Sequence, residues 1–133
     1  LVIKYFEPKK IISSPETNSV SEALIDIRKT VTYLKSTLPS PQPGNVTLYN
    51  IVFNENLKMV VYFFKTDDIL KSDLSNFEIE NLKNEWRKNM LITMNNNAFS
   101  KSFVTAEISV FFILSDYKRN KIFEFVIRPE EYN

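Results

Sequence analysis

Two runs of consecutive apolar residues, MVVYFF at 59–64 and VFFIL at 110–114, constrain the fold of this chain more than any other feature. Neither approaches the roughly 18 apolar residues that a membrane-spanning helix needs, so the visible chain is read as not spanning a membrane. Both are dense in β-branched and aromatic residues, the signature of strands. Successive side chains of a strand point to opposite faces, and here both faces are apolar. Leu57, Met59, Val61 and Phe63 oppose Val60, Tyr62 and Phe64, while Ile108, Val110, Phe112 and Leu114 oppose Phe111 and Ile113. A sheet built on these strands has two faces to cover, or it keeps one as an adhesive surface.

The remaining segments supply cover for one face. Ser19 with Glu22 and Ser75 with Glu78 have the spacing of capping boxes, in which each residue satisfies an orphan backbone donor of the other. After the first box, Val20, Leu24, Ile27, Val31, Leu34 and Leu38 follow at steps of four and three, one helical stripe. Pro39 biases Leu38 away from helical geometry and ends the run. The segment SPQPGN at 40–45, with the only glycine of the chain, reads as a turn. Residues 46–53 and 57–66 read as a hairpin around Asn54, Glu55 and Asn56, where asparagine tolerates left-handed backbone. The second helix carries Ile79, Leu82, Trp86 and Met90 and stops at Asn95, Asn96 and Asn97. A connector with Phe99 and Phe103 leads to a second hairpin, 107–114 and 121–127, around SDYKRN, closed by Pro129.

The predicted class is α+β, an antiparallel sheet of four or five strands with two helices packed on one face, in the order (β)αββαββ. The 133 residues suit a single domain spanning 1–133, with 1–18 as a flexible or edge-strand N-terminal segment. Leu1 in place of Met points to a processed or partial beginning. The apolar opening before Pro8, Lys9 and Lys10 fits an edge strand or the exit of a membrane anchor.

Chemistry is constrained by what is missing. Seventeen basic and sixteen acidic residues leave a net charge of +1, too little field to gather nucleic acid. Without cysteine there is no disulfide, thiolate nucleophile or cysteine zinc site, and without histidine the usual nucleophile activation and zinc ligands fall too. Gly44 alone cannot build a phosphate loop. Asp67, Asp68 and Asp73 could suggest a cation site or an acid–base pair, but their spacing matches no calcium loop, and a solvated connection is the simpler reading. Glu78, Glu80 and Glu85 complement the dipole of the second helix. Trp86 sits on the apolar stripe as a core residue. Lys118, Arg119 and Lys121 beside Tyr117 read as a polar hairpin tip, and the Asn45-Val46-Thr47 sequon has meaning only in a eukaryotic secretory setting. The chain is therefore read as no enzyme, with no catalytic, cofactor or metal residue to name.

Leu38-Pro39 after the first helix, Thr47-Leu48 leading to VVYFF, Leu82 and Trp86 on the second helix, and the ending ISVFFILSDYKRNKIFEFVIRPEEY form a recurring pattern. From residue 23 to 132 the chain resembles a group of small bacterial domains that often follow an N-terminal membrane anchor or signal segment. It departs from that group in its last turn, where Asn120 stands in for the usual glycine, and in lacking a terminal cysteine. The resemblance implies an α+β architecture and a periplasmic or extracellular location, anchored through the N-terminus, and carries no activity.

These readings converge on a non-catalytic protein-binding or assembly module of the bacterial cell envelope. Its predicted binding face comprises Val60, Tyr62, Phe64, Phe111 and Ile113. A protein partner or self-association is expected, and no nucleic acid. Residues 1–12, sheet curvature, a second copy or a ligand are the candidates to cover that face. Alternatives are an immunity or inhibitor protein for a toxin, or a carrier holding a small apolar ligand in a pocket lined by Tyr62, Phe64 and Phe111.

Overall fold

Ser19 opens the first helix as its spacing predicts, its Oγ accepting the Glu22 N–H at 3.1 Å. Ser75 and Glu78 form the complete box, with Oγ accepting from the Glu78 N–H at 3.1 Å and the Glu78 carboxylate from the Ser75 N–H at 3.0 Å. The Ser75 backbone N–H, with the Ser75 hydroxyl second, holds the Glu78 carboxyl below its usual range. The computed structural model describes residues 19–96 and 100–132. In chain order its elements are α1 (Val20–Ser36), β1 (Ser40–Gln42), β2 (Val46–Asn54), β3 (Met59–Thr66), α2 (Asn76–Asn96), α3 (Ser100–Thr105), β4 (Ser109–Ser115) and β5 (Lys121–Ile127). Short 3-10 turns at Lys71–Asp73 and Pro129–Glu131 complete the path. The expectations for residues 1–12, for the 1–18 segment and for Phe99 lie outside the described residues.

The fold is α+β, and among the described residues five strands lie in the order β1-β2-β3-β4-β5. The expected all-antiparallel sheet needs a correction, because β3 and β4 run parallel, in register from Met59 opposite Ser109 to Lys65 opposite Ser115. A hairpin-then-hairpin pattern reads naturally as antiparallel throughout. Between these two hairpins, however, a helix of 21 residues carries the chain back along the sheet, and such a crossover returns the next strand in the same direction.

Two short elements also escaped the pattern. β1 arises inside the proline-rich turn, where Ser40 and Gln42 pair with Leu48 and Val46. Pro41 is tolerated there because the strand forms the sheet edge. α3 occupies the connector after α2 and buries Ser102 and Phe103.

Each helix turns one stripe to the sheet. On α1 the buried positions are Ala23, Ile27, Thr30 and Val31. Val20, placed on the stripe by spacing, is 53% exposed, so the buried face is rotated from the predicted one. On α2, Leu82, Trp86, Met90 and Met94 are buried, as their spacing requires. Against them packs an aromatic layer from the sheet. Tyr62 stacks on Phe112 at 5.3 Å and Phe112 on Phe125 at 5.0 Å, while Trp86 meets Phe64 and Phe123 edge-on at 5.4 and 5.5 Å.

The turns use left-handed backbone, at residues other than those expected. In the β2–β3 turn Lys58 has φ 50°, and Asn54 instead accepts the Leu57 N–H through its side chain. In the β4–β5 turn Arg119 has φ 70°, and Asn120 serves as a donor to Asp116. At the outer edge of the sheet, Arg87 from α2 pairs with Glu131 and donates to the Val126 carbonyl of β5 at 3.3 Å.

Candidate binding face

Strand register assigns every sheet side chain to one of two faces. One inward row runs across four strands as Ile51, Tyr62, Phe112 and Phe125. The neighbouring outward row is Val52, Val61, Phe111 and Val126, beside a second of Asn50, Phe63, Ile113 and Glu124. The buried cluster that joins α1, α2 and α3 to the sheet contains the inward side chains and none of these outward ones.

The five residues predicted as one binding face are thus divided. Val60, Tyr62 and Phe64 are core residues, exposed by 2% or less. Phe111 and Ile113 lie on the outer face, each only partly buried. The parallel register is the reason: it sets Val60 opposite Val110 and Val61 opposite Phe111, so odd-numbered positions of β3 and β4 share a face. The pocket of the alternative carrier reading, lined by Tyr62, Phe64 and Phe111, does not form from these three for the same reason. Phe112 and Trp86 pack against Tyr62 and Phe64, and Phe111 points to the other side. Burial also pushes the Tyr62 phenol above its usual range, leaving it neutral.

The outer face gains residues that periodicity alone did not single out. Val52 and Val126 enter through pairing with Val61 and Phe111. A register shift between Leu48 and Asn50 marks a bulge that frees Tyr49 from the ladder. Its ring lies 6.1 Å from that of Phe63, and the Arg119 guanidinium sits 4.7 Å from the Tyr49 ring centre. The apolar strip thereby ends in a cation held over an aromatic face. The only sequence signal for this contact was the basic hairpin tip itself.

The acidic residues have roles within the chain. Asp67 accepts from Thr47 Oγ1 at 3.0 Å, Asp68 from Asn45 Nδ2 at 3.0 Å, and Asp73 from the Leu70 N–H at 3.0 Å. Asp116 is fully buried and accepts the N–H groups of Lys71, Lys118 and Asn120, each at 2.9 Å. Burial alone would raise its pKa. The donors, with the Lys71 and Asn120 N–H groups foremost, outweigh it and hold the carboxyl below its usual range.

This fold recurs in solved bacterial proteins. A protein of Pseudomonas aeruginosa described as secreted matches with a TM-score of 0.63 at 6% identity, over 89% of this chain and 99% of its own. The pilotin EpsS of the Vibrio vulnificus type 2 secretion system matches with a TM-score of 0.60 at 10% identity, over 85% of this chain and 94% of its own. At such identities the likeness establishes a shared fold. The sequence matches no family model and no curated protein. Among the described residues no helix is long and apolar enough to cross a membrane.

Proposed function

We propose that this domain is a non-catalytic protein-binding or assembly module of the bacterial cell envelope, and that its partner docks on the outer face of the sheet. The observation that carries this reading is the continuous apolar row Val52, Val61, Phe111 and Val126, separate from the core that binds the helices. Apolar surface kept together on a face that the helices leave aside is what an interface core needs. The fold likeness to a secreted protein and to a secretion-system pilotin supports an envelope setting. A non-catalytic role is supported by Asp67, Asp68, Asp73 and Asp116, which are engaged by donors of their own chain.

Site-specific photo-crosslinking in the native cell tests the reading. A photoreactive residue at Phe63 or Ile113 is expected to give a discrete adduct with one envelope protein, identified by mass spectrometry. The same residue at Ile25, 45% exposed on α1, is expected to give none. Adducts that do not distinguish the two surfaces would remove the outer face as the docking site.

A further inference from the structure

We propose that the outer face recognises an apolar protein segment bearing a carboxylate, and that Arg119 is the receptor for that carboxylate. The inference rests on the docking reading above and names the chemistry of the partner. Arg119 is exposed at the tip of the β4–β5 hairpin, yet it is placed by three separate constraints. Its backbone N–H donates to the Asp116 carbonyl at 2.9 Å, its φ is fixed at 70°, and its guanidinium rests 4.7 Å from the Tyr49 ring centre. The turn beneath it is locked by the buried Asp116 carboxylate, which gathers the N–H groups on either side of Arg119, those of Lys118 and Asn120. A guanidinium held in this way has surrendered much of its freedom before binding, which lowers the entropy cost of receiving a partner.

Tyr49 in turn touches Phe63, so the charge stands at the border of the apolar strip. Among the described residues, ion pairs engage Lys121 with Glu124 but leave Lys65, Lys118 and Arg119 without an acidic partner. The complement of such a surface is apolar over the strip and anionic at the hairpin end. A planar guanidinium with its donors in a fork selects carboxylate geometry. A protein segment fits better than a lipid surface. The central side chains lie side by side in the sheet, with Val61 only 8% exposed, so the strip is a floor on which an extended segment can lie. The net charge of +1 also gives no field to hold an anionic membrane.

Selection of a random displayed peptide library on the immobilised chain, followed by anisotropy titration of the enriched peptides, tests this. Enriched peptides are expected to combine apolar residues with Asp or Glu, and Ile113→Lys should abolish their binding. Arg119→Gln should weaken them by about tenfold or more, the worth of one charge-assisted hydrogen bond. Arg119→Lys should restore that affinity only in part, and changing the peptide's acid to its amide should erase the difference between the parent chain and the Arg119→Gln variant. Both substitutions change an exposed side chain while leaving the Asp116 turn bonds in place, and an unchanged thermal melt verifies the fold. Peptides that need Ile113 but ignore Arg119 would overturn this inference and leave the docking face standing. No enrichment above a blank surface, or Ile113-dependent binding to phosphatidylglycerol vesicles in place of peptides, would overturn both.

Discussion

Asp116 shows how much one residue can organise when its surroundings are all donors. Its carboxylate joins the β4–β5 turn to Lys71, on the approach to α2, at a separation of 45 residues. Replacing it with Ala leaves the part-buried N–H groups of Lys71, Lys118 and Asn120 without this acceptor, and we expect a loss of about 1 to 3 kcal/mol in urea unfolding. Its acid response has a definite sign. The folded-state pKa is depressed, so the unfolded chain takes up a proton first as pH falls. The stabilisation is complete above the ordinary carboxyl range of about pH 4 and is lost as pH drops through the lower native value. Asp116→Asn should therefore flatten the fall of the urea midpoint below about pH 4 relative to the parent chain. The sequence marked SDYKRN as a turn, because its residue types are local signals. The bond from Lys71 was invisible there, being set by the tertiary path. The left-handed residue is Arg119 rather than Asn120 for a related reason: asparagine has the better propensity, and the hydrogen-bonding demand of Asp116 won.

At the scale of elements, local chemistry was legible and long-range direction was not. Both helix starts could be read because a cap is a contact over three residues. Ser75 and Ser19 each accept one N–H of the first turn through Oγ, so Ser75→Ala and Ser19→Ala should each cost about 0.5 to 2 kcal/mol in urea unfolding. Glu78→Ala removes the reciprocal bond, whose donor is the Ser75 backbone N–H and survives in Ser75→Ala, so it should carry a cost of its own on top of Ser75→Ala in a double-mutant cycle. The α2 stripe was equally readable, and Trp86 is core as its spacing implied. Its buried Nε1 has no hydrogen-bond partner among the described residues, so the ring is held by packing on Phe64 and Phe123. Trp86→Phe removes the unsatisfied donor while keeping much of the ring volume, whereas Trp86→Ala empties the site at a cost of about 3 to 5 kcal/mol. We expect thermal denaturation to show a far smaller drop for Phe than for Ala. A Phe variant as damaged as Ala would mean that the indole N–H matters. By contrast, the parallel pairing of β3 with β4, the edge strand β1 and the short α3 depended on where α2 returns the chain, and no local signal encodes that.

On the scale of the whole molecule, the apolar doubling of β3 and β4 resolves into a division of labour between adjacent residues. Phe111 and Phe112 are neighbours of the same type, yet Phe112 is 1% exposed in the aromatic layer while Phe111 stands on the outer face beside Val61 and Val126. That two faces existed was legible from alternation. Which of them met the helices was not, because a shift of one position exchanges the whole set. The division makes a paired prediction. Phe112→Ala should cost about 3 to 5 kcal/mol in urea unfolding, the range for an emptied aromatic site in a core. Phe111→Ala should cost about 1 kcal/mol, because a partly exposed side chain forfeits less burial. Charge sharpens the contrast. Tyr62→Lys would bury an ammonium between Phe64 and Phe112 and should abolish cooperative folding. Phe63→Lys, one position along, reaches solvent from the outer face and should leave a soluble, cooperatively melting protein by circular dichroism. If Phe63→Lys unfolded the chain as Tyr62→Lys does, the outer face would be a second core, and a binding role for it would have no physical basis.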